Sequence, residues 1–449
     1  MKKIVIAVSA VILLAACDKK NDYQAIFSDP DIYSKTVFEL NSVVMGNNFS
    51  PIVASRNYVY ATIAAYEVMA AGNPSDYNSL GGQINGLGEV PKPDTTKKIN
   101  YGFASLLAFW QLGQSVTFSE NETTKYVDSL KKLALDHGMP KDEYNNSIAY
   151  ADQVAKTIMD WSKKDNYLET RGMPAYTVKM DEPGRWIPTP PAYSEAMEPH
   201  WNLIRTLVMD SATQFRPPSP FTFNIKDPNS DYYKQVKKTL DSTREMTEEQ
   251  KHIADFWDDN PFKLNVNGHL MFGTKKFSPP GHWLSIVGIA AEKAKSDYDF
   301  TVYAYAKTAI ALFDAFIQCW EEKFRDNTVR PETVINNYFD PSWRPHLQTP
   351  PFPEYTCGHS TGSAAGAAVL TDIFGDNFSY TDTSELMFGI KSRSYNSFYE
   401  AAHENSKARF YGGIHFEHTC AISYEYGKKV GDLVSERLRM RREKDVAMK

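Results

Sequence analysis

The chain has 449 residues, 25 of them proline, with 42% hydrophobic and 23% charged side chains. That length exceeds one minimal bundle and allows two bundle-sized halves around a large core, and the composition is that of an ordinary globular protein. A net charge of -6, with no long basic tail, argues against a nucleic-acid partner, because neutralising phosphates takes a basic surface.

Met1-Lys2-Lys3 is a short positive segment, and the apolar run over residues 4–16 is shorter than the about 20 residues a spanning helix needs. It ends in Leu14-Ala15-Ala16-Cys17, small residues before a cysteine, the pattern of a secretion signal removed before Cys17. The tetrad resembles the bacterial lipobox. That implies lipidation at Cys17, export to the cell envelope (periplasm, outer membrane or cell surface) and contact with a membrane through the anchor alone. Residues 1–17 are then a signal peptide and 18–30 a polar tether. No later segment reads as apolar enough to cross a membrane. The remaining Cys319, Cys357 and Cys420 cannot all pair within one chain, and their spacing matches no zinc pattern.

Apolar residues at helical spacing predict helices over 51–71, 101–112, 123–134 and 142–161. Proline-rich stretches at 166–199 and 215–229 resist regular structure, since proline removes a donor and fixes φ. They read as long ordered loops pinned by Trp186 and Phe215. Further helices are predicted over 232–243, 247–257, 283–294 and 297–323, then a proline-rich loop over 341–353, a small-residue helix after His359, and helices over 397–409 and 416–439. No strand signal persists. The expected fold is all-α, with little or no β, in two helical-bundle halves, 31–235 and 236–449.

Three clusters carry candidate chemistry. In the first, KFRDNTVRP, Lys323 ends a long helix and Arg330 follows seven residues later; continued helical geometry would turn both cations the same way, although Pro331 loosens it. In the second, Cys357-Gly358-His359-Ser360-Thr361 opens a helix of small residues, where free N–H groups and the dipole favour an anion. In the third, Arg409-Phe410-Tyr411-Gly412-Gly413-Ile414-His415, two glycines turn the chain between helices and can aim Arg409 and His415 into one cavity. Each cluster alone has a plain structural reading: a basic helix end, an N-cap with an incidental histidine, a Schellman stop. Together they offer three fixed cations, two histidines and a helix N-terminus, more positive charge than a core tolerates without an anion. Phosphate or vanadate fits, with Arg forks and a Lys point charge on the oxygens, one neutral histidine to ligate and the other as acid/base.

This order and spacing resembles the vanadium-dependent haloperoxidases, relatives of the type-2 phosphatidic acid phosphatases and bacterial acid phosphatases. The family pattern K-x6-R-P, P-S-G-H, S-R-x3-G-x-H reads here Lys323 to Arg330-Pro331, Thr356-Cys357-Gly358-His359, and Ala408-Arg409 to Gly413-x-His415. IADFWDD (253–259), SPPGHW (278–283), RWIPTPPAY (185–193), QFRPPSP (214–220) and FPEY (352–355) extend the likeness, to the bacterial iodoperoxidase branch in particular, over most of the chain from about residue 40. The resemblance implies vanadate as cofactor and hydrogen peroxide and a halide as substrates. It implies His415 as axial ligand, and Lys323, Arg330 and Arg409 on the oxygens with Cys357 and Gly358 at the same cradle. His359 is implied as the acid/base, with Lys323 polarising the bound oxidant. Trp320 and Phe352 match aromatic positions near the halide, and Asp259 a carboxylate that orients an arginine.

The chain departs from the pattern at four places. Cys357 replaces a serine, a poorer hydrogen-bond donor and oxidisable beside a peroxide site, which favours iodide, the easiest halide to oxidise, over bromide. Thr356 replaces proline, Ala408 replaces serine, and Thr419 stands where an aspartate is common. Two other functions fit the same residues: an acid phosphatase, since vanadate mimics five-coordinate phosphoryl transfer, and a non-catalytic surface lipoprotein that binds phosphate or glycans.

Overall fold

A computed structural model describes residues 21–261, 263–267 and 270–442. The N-terminal half opens with α1 (Tyr23–Phe27), α2 (Pro30–Gly46), α3 (Pro51–Gly72), α4 (Tyr101–Ser115), α5 (Glu120–Asp136), α6 (Lys141–Ser162) and α7 (Tyr167–Arg171). After long loops come α8 (Asp231–Arg244), α9 (Glu248–Phe256), α10 (Pro279–Ala294), α11 (Tyr298–Asp326), α12 (Pro331–Tyr338), α13 (Gly358–Phe374), α14 (Phe398–Tyr411) and α15 (Glu417–Arg437). Polar caps start many of them. Ser50 accepts from the Val53 N–H with Pro51 at the first position, Ser278 does the same for Gly281, and Thr247 and Gln250 close a capping box.

The fold is all-α, and the predicted helices correspond to observed ones. Four helices escaped the sequence reading: α1, α2, α7 and α12. The tether assigned to residues 18–30 is too long. Tyr23 and Phe27 are buried, Tyr23 donates to Glu143, and Pro30 occupies the first turn of α2 beneath an Asp29 cap, so the packed chain starts by Tyr23. Cys17 and the signal segment lie outside the described residues. Two short antiparallel hairpins also appear. β1 (Lys263–Asn267) pairs with β2 (Leu270–Thr274), and β3 (Tyr380–Asp382) with β4 (Arg393–Tyr395). Asn267-Gly268 between alternating apolar residues is a hairpin signal the helical reading passed over; strands of three residues such as β3 carry no readable period.

The division between residues 235 and 236 falls inside α8, and one apolar core runs from Tyr23 to Met440 across both halves. At its centre lies α11, against α3 of the first half and α13 of the second. This helix is long and apolar enough to cross a membrane, contrary to the expectation from sequence, but its apolar surface is buried inside the bundle, with Ile310, Phe313 and Ile317 fully enclosed. The small-residue helix α13 packs closely on α15. A side chain at Gly427 would bring its Cβ within 2.1 Å of the Thr361 carbonyl oxygen, so only glycine permits this spacing. That crossing sets the His359 end of α13 beside the His415 turn that enters α15.

Candidate active site

Lys323 lies in the last turn of α11, and Arg330 sits immediately before α12. The two are not joined by continued helix. Asn327 adopts a left-handed conformation (φ 50°) and reverses the chain. The segment beyond it is then clamped from two sides: Val329 donates to Gly184, and Glu354 donates to Thr328. Backbone hydrogen bonds from the two proline-rich loops, rather than helical geometry, therefore aim Arg330.

Arg330 is fully enclosed. Its Nε donates to the Phe352 carbonyl at 2.8 Å, and Nη1 donates to the Ile414 carbonyl at 2.8 Å and to His415 Nε2 at 3.0 Å. Lys323 Nζ donates to the carbonyls of Pro353 (2.9 Å), Glu354 (3.3 Å) and Thr356. Both cations flank the Phe352 ring, at 4.8 Å for Lys323 and 4.9 Å for Arg330. Burial, with Arg330 repelling from nearby, lowers the Lys323 ammonium to about 8, and burial with Arg409 close by lowers Arg330 to about 10.

Arg409 approaches from α14, its Nη1 donating to the Trp257 carbonyl at 2.9 Å. A Schellman stop follows: Gly413, at φ 75°, donates to Phe410 and Ile414 donates back to Arg409. This turn presents His415 to the Arg330 guanidinium. Glu354 Oε1 accepts from His415 Nδ1 at 3.0 Å and from the Phe416 N–H at 3.1 Å, and Oε2 accepts from Thr419 Oγ1 at 3.0 Å. A carboxylate only accepts, so Nδ1 carries the imidazole proton and Nε2 keeps its lone pair. His359, in the first turn of α13, is the second histidine; burial and the neighbouring Arg409 hold it well below the usual imidazole range, hence neutral.

Three nitrogens at this locus are buried without a hydrogen-bond partner: Arg330 Nη2, Arg409 Nε and His359 Nε2. Above them opens a hollow of about 420 Å³ lined by Phe49, Met197, Pro351, Phe352, His359 and Arg409 among others.

Residues 303–444 match the family described as the VCPO second helical-bundle domain. Over the whole chain, the structure superposes with a TM-score of 0.88 and 44% identity on the first bacterial vanadium-dependent iodoperoxidase, covering 93% of this chain and 98% of that one. The chain belongs to the vanadium-dependent haloperoxidases. Two bacterial vanadium-dependent chloroperoxidase structures share the fold. The holo form aligns at 17% identity and TM-score 0.65, covering 94% of this chain and 97% of that one; the apo form aligns at 18% and 0.63, covering 94% and 98%. No curated protein matches the chain.

Within this haloperoxidase, two expected placements change, those of Asp259 and Trp320. Asp259 forms no ion pair with an arginine. Its Oδ1 bonds His282 Nδ1 at 2.8 Å, and Oδ2 lies 4.0 Å from His359 Nε2, so it serves histidines. Trp320 does not line the hollow: its indole N–H donates to the Met197 carbonyl at 3.2 Å and its ring backs Phe352 from 5.0 Å, leaving Phe352 as the aromatic surface of the pair. Thr419, in the aspartate position, reaches Glu354, which is the carboxylate that orients His415 here. Glu354 went unassigned although FPEY carries it; its acidity between Pro353 and an apolar residue was the available signal. Cys357 precedes α13 without a side-chain cap, its N–H donating to Ser423 Oγ at 2.8 Å and its sulfur enclosed with Phe410 and Cys420.

Proposed function

We propose that this haloperoxidase holds vanadate among Lys323, Arg330, Arg409 and His415, with Cys357 and Gly358 at the cradle, and oxidises halide with hydrogen peroxide to hypohalous acid, iodide before bromide. The observation that carries the reading is the pair of enclosed guanidinium nitrogens without protein acceptors, Arg330 Nη2 and Arg409 Nε, with Arg409 at the wall of the hollow and Arg330 against the Phe352 ring that lines it. Buried cations of this number call for an anion with several acceptor oxygens, so the residues fit the group. His415 Nε2, its lone pair fixed by Glu354 on the opposite nitrogen, supplies the ligand atom. Vanadate supplies Lewis acidity that activates peroxide without a change of its own oxidation state.

The chain's residues do the remainder. His359, neutral and facing the hollow, takes a proton from entering peroxide and returns it as the halide oxygen product forms. Lys323 places positive charge beside the reacting oxygens, held there by three carbonyls. Phe352 gives a halide a polarisable face edged by both cations. The Cys357 substitution favours iodide because a hydroxyl donor is replaced by a weaker one.

The deciding experiment is initial rates with iodide, bromide and chloride on vanadate-loaded protein with peroxide. Iodide oxidation is expected. Efficient hydrolysis of p-nitrophenyl phosphate with no iodide oxidation would make the protein a phosphatase, and retention of vanadate with neither reaction a binding protein. The sequence around Cys17 further supports an exported envelope lipoprotein. Cys17→Ala should shift the protein from the membrane fraction to the soluble fraction, and an unchanged distribution would refute the anchor.

A further inference from the structure

Cys319, Cys357 and Cys420 are all buried and all free. Two of them meet. Cys357 stands at the entry to α13 and Cys420 in the first turn of α15, and their thiols lie in contact within one cluster that Phe410 completes. The helix packing fixes this meeting. The Cys357 N–H donates to Ser423 Oγ at 2.8 Å, and Ser423 lies one turn beyond Cys420 on the same face of α15. Ser406 of α14 donates to the Cys420 carbonyl at 3.1 Å and shares a 2.8 Å hydrogen bond with Ser360 of α13, so it ties both helices at this level. A disulfide needs two backbones held this close. Cys319 is placed differently: its sulfur accepts from the Thr356 hydroxyl at 3.2 Å and donates to the Thr356 carbonyl at 3.7 Å, and so is already engaged.

The pair also borders the site. The Cys357 thiol lies against His415 as well as Cys420. Gly358 and His359 follow it in the chain, and His359 is at the wall of the hollow. Peroxide that reaches His359 and His415 therefore arrives beside the Cys357 sulfur, with the Cys420 thiol next to it.

We propose that Cys357 and Cys420 form a peroxide-sensitive pair: in the vanadate-free protein hydrogen peroxide oxidises Cys357, Cys420 resolves it, and the resulting disulfide hinders loading of the cradle. In the first step the Cys357 sulfur takes one oxygen from peroxide and becomes a sulfenic acid, and the other oxygen leaves as water. In the second, the Cys420 sulfur attacks the sulfenic sulfur, the S–O bond breaks, and the hydroxyl leaves with the Cys420 proton as a second water. Two thiols lose two electrons between them, and one peroxide is reduced to two waters. The new bond removes the Cys357 S–H and ties that sulfur to α15. A serine, as in the family pattern, has no such chemistry. The loading step rests on the vanadate cradle proposed above; the cross-link itself does not.

The test exposes vanadate-free protein to hydrogen peroxide, alkylates the remaining thiols in denaturant, and maps peptides with and without dithiothreitol. A cross-link joining the Cys357 and Cys420 peptides is expected, with Cys319 alkylated. Equilibrium dialysis of the oxidised protein should give a Kd for vanadate about tenfold or more above that of the reduced protein, the loss of one hydrogen bond to a charged group. Dithiothreitol, removed before dialysis, should restore the lower value. Cys420→Ser should bind vanadate as the wild type does before oxidation, but peroxide should carry its Cys357 on to a sulfinic acid that dithiothreitol does not recover. Unreacted thiols, a cross-link through Cys319, or a wild-type Cys357 sulfinic acid with no cross-link would each overturn the proposal. So would a cross-linked protein that binds vanadate unchanged. Reduced protein that takes up no vanadate would sink the vanadate reading and the loading step with it, while the cross-link is judged on the peptide map alone.

Discussion

Glu354→Gln is the sharpest probe of how His415 is prepared. Glu354 is almost wholly enclosed and accepts three hydrogen bonds, two on Oε1 from His415 and Phe416 and one on Oε2 from Thr419. Glutamine can place its amide oxygen where Oε1 stands and keep the first two, while the Thr419 hydroxyl rotates to accept from the amide nitrogen. Geometry is retained and the charge is lost. A hydrogen bond to a charged acceptor contributes about 1.5–3 kcal/mol and a neutral one about 0.5–1.5, so the His415 bond weakens by about 1–1.5 kcal/mol, roughly tenfold. Loss of an outer partner of a ligating histidine costs about 10- to 100-fold in affinity, in the same range. Equilibrium dialysis against vanadate should therefore give a Kd at least tenfold above wild type, with an unfolding midpoint little changed. Glu354→Ala should differ in kind: three buried donors lose their acceptor at about 1–3 kcal/mol each, so stability falls by about 3 kcal/mol or more. A Glu354→Gln protein that binds vanadate as tightly as wild type would refute the claim that this carboxylate tunes His415.

Other expectations follow from the same geometry. His415→Ala should abolish vanadate retention together with turnover; turnover that survives would contradict its assignment as the ligand. Cys357→Ser should keep or raise iodide oxidation, and total loss would mean the thiol has a separate role. Lys323, lowered to about 8 by burial, predicts vanadate affinity that falls as pH rises through about 8, measured by dialysis; in Lys323→Arg the fall should be smaller, since guanidinium keeps its charge. The sign for folding is opposite. Above about 8 the folded Lys323 is neutral while the unfolded one still binds a proton up to its ordinary 10.5, so the vanadate-free protein should gain stability between those values, read from urea midpoints.

Much of the fold was legible because its helices announce themselves by period. The buried positions of α6 and α8 recur at helical spacing, α3, α11 and α13 are buried along nearly their whole length and show as long unbroken runs of apolar and small residues, and Pro51, Pro279 and their serine caps mark starts. α2 was lost because Pro30 looked like the end of a tether rather than the first turn of a helix, and the β1–β2 hairpin because its turn signal sat inside a chain otherwise helical. The residues proposed to hold vanadate were legible for another reason: a fixed cage needs particular residue types at particular spacings. Their supports were not. Glu354 reaches His415 across 61 positions and His282 reaches Asp382 across 100, and no local pattern records such a pairing. Asp259 was found, but the arginine expected as its partner is replaced by His282, 23 positions away, a pairing that no local pattern distinguishes.

These supports explain why the cage can exist before any anion enters. Lys323 and Arg330 would not remain buried on Coulomb grounds, as their lowered proton affinities attest. Carbonyl oxygens hold them instead: those of Phe352, Pro353, Glu354, Thr356 and Ile414, all on two non-helical segments. Backbone oxygens carry only partial charge, so they orient the cations without satisfying them, and donors such as Arg330 Nη2 are left over for the ligand. Exchanging Arg330 for methionine should therefore stabilise the vanadate-free protein, by an amount in the about 1–4 kcal/mol range seen when buried charge gives way to apolar packing. The same change should remove most of the thermal shift that vanadate confers on the wild type, about 2.7 kcal/mol at a hundredfold excess over Kd. If Arg330→Met instead lowers the unfolding midpoint of the vanadate-free protein, the guanidinium is a net structural contributor, and the argument that the cage is held ready at a cost in stability fails.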